Sequence, residues 1–361
     1  MLSPKAKRNI SRIIPFGMIW LISGLVFFVV EKAATVGVGY ASTAIQIDFK
    51  IFVFGMLAIT VFGLLIGTVE VLYLDKVFAQ KSFTKKIVYK LIIYFLLIFT
   101  ITLIFFPIAA SLELKTSIFD KAVWNKLFAY LSSMTHLSTD LQLVVALGVS
   151  LFYSEISQNM GHRVLLNFFS GKYHTPTEEK RIFMFLDMKS STSIAEKLGH
   201  MTYFELLNQY YVDLSDAIIE HAGEVYQYVG DEIVISWQYQ VGLKNNNCIN
   251  CFFAMKKRLQ KQTARYEKSF GVSPTFKAGL HYGKVTTGEI GALKKEIIYT
   301  GDVLNATSRI QSLCNQYNTD LLISGELIES LHPISGFQIK PLGKTELRGK
   351  LETMELYTVE L

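Results

Sequence analysis

Cysteine is scarce in this sequence. The three thiols, Cys248, Cys251 and Cys314, all lie in the C-terminal half and form no even, closely spaced set. A disulfide framework is thereby excluded, and reduced thiols of a cytosolic domain are expected. Cys248 and Cys251 make a lone CxxC with no second pair, so they read as half-buried positions on one helix rather than a redox or metal site. Charge is also scarce before residue 155, where long apolar runs dominate; beyond that point charged and turn residues take over, which divides the chain between two solvents. The net charge of +6 suggests a nucleic-acid partner only at first sight. Much of the excess sits in short Lys/Arg clusters beside the apolar runs, where it sets membrane orientation, and no nucleic-acid partner is expected. No transport or cofactor motif is visible in the apolar half.

Residues 1–154 are read as a transmembrane region. A hydrocarbon core needs about 20 apolar residues per helix, and segments 13–31, 51–74, 87–112 and 131–154 meet that need, the last with hydroxyl-bearing residues and Asp140 ahead of its apolar core from Leu141 to Tyr153. Lys5, Lys7, Arg8 and Arg12 precede the first span, and Lys76, Lys81, Lys85 and Lys86 fill the second loop, which places both segments in the cytoplasm. Four crossings of the cell (inner) membrane then return the polar half to the cytoplasm, where nucleoside triphosphates are. Cleavage of the first span as a signal peptide, near the small residues Ala41 to Ala44, would invert that topology. Pro107 is expected to kink the third span, and Glu31 and Glu70 to reach the interface from span ends. A lone His136 near a membrane surface reads as simply polar.

Residues 155–180 connect the halves. Ile156, Met160, Val164 and Phe168 recur every fourth residue, so the fourth span is expected to continue as an amphipathic helix, a rigid lever broken by Ser170, Gly171 and Lys172. Its apolar face suits pairing with the same helix of a second chain.

Residues 181–361 read as an α+β domain, a sheet covered by helices. Strands are expected at Arg181 to Met188, Glu224 to Val229, Ile233 to Trp237, Phe276 to His281 and Lys284 to Ile290. Helices are expected at Ser190 to Gly199, Thr202 to Gly223, Asn247 to Phe270 and Val303 to Tyr317. Asp187 ends one strand and Asp231 sits at a hairpin tip, so adjacent strands would unite the two carboxylates. Paired oxygens of this kind suit Mg²⁺ or Mn²⁺, hard cations that keep water and phosphate as further ligands. Lys189-Ser190-Ser191-Thr192 forms a small-residue turn at a helix N-terminus, whose free N–H groups suit a triphosphate. Asn305 and Arg309 lie four apart on one helical face after Gly301-Asp302, so amide and guanidinium can address one ligand.

FLDMKSST, YQYVGDEIVISW, GLHYGKVTTGEIG and YTGDVLNATSRI, in that order, resemble the class III adenylate and guanylate cyclase domain, in particular membrane-anchored adenylate cyclases of bacterial type. The resemblance covers most of residues 178 to 361 and implies a ferredoxin-like palm fold working as a head-to-tail homodimer with shared active sites. It implies that Asp187 and Asp231, with Met188 beside the first, hold two Mg²⁺ or Mn²⁺ ions, one helping to ionise the ribose 3′-hydroxyl and one binding the β- and γ-phosphates. Ser190, Ser191 and Thr192 would line the triphosphate. Asn305 and Arg309 of the partner chain would orient the ribose and stabilise charge at the α-phosphorus. Arg348 and Lys350 fall on the family's basic triphosphate-binding turn. Gln227 and Ile298 occupy the two base-reading positions, where adenylate cyclases carry Lys and Asp or Thr; the Glu and Cys or Ser pair of guanylate cyclases is absent too. ATP is the favoured substrate, with GTP or a pyrimidine triphosphate as alternatives. A diguanylate cyclase, suggested by Val229-Gly230-Asp231-Glu232-Ile233, and a non-catalytic nucleotide-binding membrane sensor are the competing readings.

Overall fold

The computed structural model describes residues 2–35, 47–78, 81, 83–332, 336–346 and 353–360. Ala41 to Ala44, Arg348 and Lys350 lie outside the described residues. The chain divides into two compact units, one of residues 6–165 and one dominated by residues 166–361.

The first unit is helical: α1 (Pro4–Thr35), α2 (Phe49–Val69), a π turn at Glu70–Leu74 leading into α3 (Asp75–Val77), α4 (Phe83–Leu114), α5 (Lys121–Leu131), α6 (Met134–Met160) and α7 (His162–Phe169). Four of these helical stretches are long and apolar enough to cross a membrane: Pro4–Thr35, Phe49–Val77, Val88–Leu114 and Met134–Met160. The hydroxyl-rich stretch that weakened the fourth apolar pattern is its first turns, with Ser133 as N-cap accepting from the His136 N–H. Helix α5 was not anticipated; its buried Val123, Leu127 and Tyr130 follow a three-to-four-residue period within an otherwise mixed sequence. Small residues let helices approach closely: a Cβ at Gly63 would lie 2.6 Å from Trp20 Cβ, and one at Gly67 2.8 Å from Phe16 Cγ.

Two expectations for this unit are corrected. Glu70 does not reach an interface: it is fully buried, paired with Lys90 and accepting a hydrogen bond from the Tyr94 hydroxyl. Around it, Arg12 binds Asp75 at 2.7 Å, Lys86 binds Glu155 at 2.6 Å, and Gln158 donates to Asp75 at 2.7 Å. Charges inside a bundle are held by pairing of this kind, and here α1, α4, α6 and the π turn and α3 that follow α2 are pinned together at one level. The expected rigid lever is interrupted at Gly161. Gly161 has φ +86° and ψ 129°, which ends α6 one residue before α7 begins. Glycine tolerates that conformation without a Cβ clash, and it outweighs the apolar period that runs across it.

The second unit is built on an eight-stranded sheet with helices. Its elements are β1 (Thr177–Met188), α8 (Ser191–Glu220), β2 (Glu224–Val229), β3 (Glu232–Gln238), α9 (Tyr239–Leu243), α10 (Asn247–Lys261), α11 (Thr263–Phe270), β4 (Phe276–Ile290), β5 (Glu296–Thr300), α12 (Asp302–Ser312), β6 (Leu321–Ser324), α13 (Gly325–Ser330), β7 (Gln338–Glu346) and β8 (Thr353–Glu360). The strand order is β2-β3-β1-β4-β6-β8-β7, with β5 pairing only β4. The pair β4–β6 is parallel and the others antiparallel. The two strands expected at Phe276 to His281 and Lys284 to Ile290 are one strand, because Gly283 takes a regular place opposite Arg181 instead of a turn. Gly199, at φ +71°, splits α8 into the two expected helices, and Gln262 separates α10 from α11.

Alternation along β1 sorts the two sheet faces. Ile182, Met184, Leu186 and Met188 join α8 and α10 in the main core, whereas Phe183 and Phe185 pack on the opposite face with Val234, Val285 and Val303. Cys248 and Cys251 are fully buried helix positions of that main core; burial pushes the Cys248 thiol up to about 12 and the Cys251 thiol higher still, as suits inert thiols.

Candidate active site

By the same alternation, Asp187 falls on the face of Phe183 and Phe185, at the end of β1. Asp231 sits in the tight turn between β2 and β3, where Gly230 takes φ +63° and its carbonyl accepts from the Tyr211 hydroxyl. Because Leu186 pairs with Ile233, the end of β1 adjoins that turn, and the two carboxylates meet as expected. Burial, then a hydrogen bond and repulsion from Asp231, hold the Asp187 carboxyl above its ordinary range. Glu232 is raised by burial and by the same two acids. Asp231 Oδ2 is buried and has no hydrogen-bond partner among the described residues. Two crowded carboxylates with an orphaned oxygen fit a divalent cation, which removes their repulsion and satisfies that oxygen. No cluster of three or more His, Cys, Asp or Glu suited to a metal occurs among the described residues, so the remaining ligands would be water and substrate oxygens. Met188 can offer only its main-chain carbonyl, since its side chain is 1% exposed in the core.

Ser190 adopts a left-handed conformation, φ 56° and ψ 29°, just before α8, and its side chain caps nothing. Lys189 N–H donates to the Thr275 carbonyl at 2.9 Å. The N–H groups of Ser191, Thr192 and Ser193 open the helix without intrahelical partners, a few residues after Asp187 in the chain.

Helix α12 lies across β4 on the Asp187 face. A Cβ on Gly279 would come within 2.5 Å of the Gln311 backbone nitrogen, and one on Gly283 within 3.0 Å of Val303 Cβ. That close approach brings Gln311 Nε2 within 3.2 Å of Asp187 Oδ2, while Lys277 Nζ stands 3.5 Å from the same oxygen. Asn305 and Arg309 share this helix but, at 100° per residue, are turned roughly 120° and 160° away from Gln311. Asn305 is exposed and Arg309 half-buried, so the structure does not bring them to the carboxylates of their own chain. Val303, Thr307 and Gln311 take the sheet-facing positions instead.

Gln227 is exposed and takes the register place opposite Val234, just past a β-bulge at Tyr226. Ile298 is half-buried opposite Gly288, and alternation turns it to the other face of β5 from Tyr299. Sequence reasoning missed Lys277, which stands opposite Asp187 in the β1–β4 register, and Gln311, which the close seat of α12 on Gly279 brings to the same carboxylate.

Residues 174–360, more than half of the chain, match the family described as the adenylate and guanylate cyclase catalytic domain. The chain belongs to this family. The chain is 34% identical over 211 residues to adenylate cyclase 2 of Rhizobium meliloti (strain 1021), covering 58% of each chain. Over 182 residues it is 27% identical to adenylate cyclase 1 of the same organism, covering 49% of this chain and 27% of that one. The chain thus spans little more than half the length of the first relative and about a quarter of the second. A bacterial light-regulated adenylyl cyclase of known structure superposes with a TM-score of 0.54 at 21% identity, over 62% of this chain and 65% of that one, which establishes the cyclase fold.

Proposed function

We propose that the chain is a membrane-anchored adenylate cyclase that converts ATP to 3′,5′-cyclic AMP and pyrophosphate. The observation that carries this reading is the Asp187–Asp231 pair with its orphaned carboxylate oxygen beside an open helix N-terminus. Asp187, Asp231 and the Met188 carbonyl would hold two Mg²⁺ or Mn²⁺ ions, which when bound lower the pKa of the attacking hydroxyl and neutralise phosphate charge. The 3′-oxygen loses its proton and bonds to the α-phosphorus as the bond from that phosphorus to the pyrophosphate oxygen breaks. Ser190, Ser191 and Thr192 offer hydroxyls and open backbone N–H groups to the triphosphate. Asn305 and Arg309, turned away from the acids of their own chain, suit the ribose and the developing charge of a site completed by a second copy. The homodimer follows from that requirement. Gln227 and Ile298 are the base-reading positions; ATP is favoured, and a half-buried Ile298, which cannot hydrogen-bond, leaves GTP or a pyrimidine triphosphate as the second reading. Four apolar helices hold the unit to the cell membrane, with the N-terminus and residues 181–361 in the cytoplasm.

The test is turnover by the purified full chain with Mn²⁺ and each of ATP, GTP, CTP and UTP. Cyclic AMP as the main product is expected, and its loss in Asp187→Ala; a cyclic dinucleotide, or binding with no product, overturns the proposal. Asp231→Ala and Arg309→Ala, each inactive alone, should regain activity in a mixed dimer.

A further inference from the structure

Strands β2 and β5 carry the two base-reading positions, but among the described residues they share no ladder: β2 pairs β3, and β5 pairs β4. Their relative placement therefore rests on side chains. Tyr226 and Tyr299, the neighbours of Gln227 and Ile298, meet with ring centroids 4.8 Å apart, and the Tyr299 N–H donates to the Tyr226 hydroxyl at 3.3 Å. The bulge at Tyr226 aims that ring off the regular strand pattern, a known use of bulges beside functional sites. Beneath them lies Arg181, only 1% exposed, with its guanidinium carbon 4.7 Å from the Tyr299 ring centroid. The guanidinium donates to Glu224 at 2.9 Å and Ser236 at 3.0 Å, and to Glu179 at 3.3 Å. A buried cation is costly unless it is paired and hydrogen-bonded. The three acceptors serve the two terminal nitrogens, while the buried Nε has no hydrogen-bond partner among the described residues, and these contacts tie β1 to the root of β2 and, through the Tyr299 ring, to β5.

Glu179 extends the cluster to the linker. Its Oε1 also accepts from Thr287 at 2.8 Å and from the Tyr173 hydroxyl at 3.3 Å. Tyr173, three residues before Pro176, is 3% exposed, and its carbonyl accepts from the Glu289 N–H at 3.1 Å. We propose that Arg181 is a positioning residue that sets strands β2 and β5 around the substrate base, and that Tyr173 of the linker loads it through Glu179. This rests on the reading of Gln227 and Ile298 as base-facing positions. It gives the linker a route to the nucleotide pocket that does not pass through the metal carboxylates.

The experiment measures KM and kcat of the full chain for ATP and GTP in Arg181→Lys, Tyr173→Phe and Tyr226→Phe, with thermal melting alongside. Lysine keeps the charge but loses the fork, and the two phenylalanines keep ring volume and each lose one hydroxyl. Loss of uniform base binding raises KM with kcat retained. The expected result is KM for ATP raised about 10-fold in Arg181→Lys and 3-fold in each phenylalanine variant, kcat within 2-fold, and a changed ATP-to-GTP ratio; the scale is that of one charged or one neutral hydrogen bond. Melting changes with KM and base preference untouched, or a kcat loss with KM untouched, overturn the proposal. Gln227→Ala and Ile298→Ala separate the two ideas: if both leave KM and base preference unchanged while Arg181→Lys raises KM, the base-facing assignment fails and the positioning role of Arg181 stands.

Discussion

Gly279→Ala places one methyl group where the backbone of α12 already is. The added Cβ would lie 2.5 Å from the Gln311 nitrogen, 2.8 Å from its Cα and 2.9 Å from its Cβ, and none of these is the far end of a flexible side chain. The helix must therefore lift from β4 by several tenths of an ångström or the strand must bend. Overpacking of this kind costs about 1–3 kcal/mol. For a unit of this size each kcal/mol lowers the melting temperature by roughly 2–4 °C, so a fall of about 4–8 °C is expected for a 2 kcal/mol cost. The same lift breaks the 3.2 Å contact from Gln311 to Asp187 and displaces Asn305 and Arg309 on the same helix, so kcat should fall at least 10-fold even at temperatures where the variant is fully folded. Differential scanning fluorimetry of the full chain and initial rates of cyclic nucleotide formation read the two effects. Gly288→Ala is the comparison: its Cβ would stand 3.2 Å from Pro176 Cγ, a ring atom that can yield. An alanine at 279 that melts within 1 °C of wild type and turns over normally would refute the claim that this glycine sets the seat of α12.

Three other outcomes follow from the site. Asp187 titrates above its ordinary value because burial and Asp231 disfavour its charge, so the folded chain keeps a proton that the unfolded chain has lost; the stability this confers is present at low pH and is lost as pH rises through the folded pKa. In chelator at pH 7, Asp187→Asn should therefore melt higher than wild type, and Mn²⁺ should raise the melting temperature of wild type only; equal Mn²⁺ shifts in both would contradict the assignment. Ser190→Gly should stabilise by about 1 kcal/mol in chemical unfolding, because Ser190 sits at φ 56° where a Cβ is unfavourable; a destabilised glycine variant would show that the serine makes a compensating contact. Lys277→Met removes a cation 3.5 Å from the Asp187 carboxylate, so on the proposed metal role of Asp187 the Mn²⁺ concentration for half-maximal activity should fall several-fold, and an unchanged metal requirement would count against competition between lysine and metal.

Much of the fold was legible because its signals are local. The long apolar runs, the β2–β3 hairpin around Gly230 and the short apolar run RIFMFLDM that ends in a carboxylate each depend on a few adjacent residues, and the structure carries all of them. The Asp187–Asp231 pair was legible for the same reason: a strand end and a hairpin tip are neighbours as soon as the two strands are. What failed was long-range. Glu70 reads as a boundary residue until Lys90 and Tyr94 come from another helix to satisfy it, and no spacing in the sequence pairs them. The strands expected on either side of Gly283 are one strand, and the glycine's lack of a Cβ serves to admit Val303 of α12. Gly161 shows the reverse failure, a single residue whose backbone freedom defeats a sustained apolar period.

Strand β1 joins these observations into one mechanical unit. It is hydrogen-bonded on both sides, to β3 and to β4, so it cannot shift without moving both neighbours. Arg181 and Asp187 lie on the same face of it, six residues and therefore about 20 Å apart. At one end the buried guanidinium holds β2 and β5; at the other the carboxylate meets Asp231 and the helix that bears Asn305 and Arg309. A rigid connecting helix is then unnecessary for the linker to matter. On the role proposed for Arg181, holding or releasing Glu179 through Tyr173 would pass to β2 and β5 through Arg181, while the strand itself keeps Asp187 in register beside Asp231. The proposed base-binding and metal-binding functions should accordingly separate under mutation, with Tyr173 and Arg181 variants altering KM and base preference and Asp187 and Asp231 variants abolishing turnover.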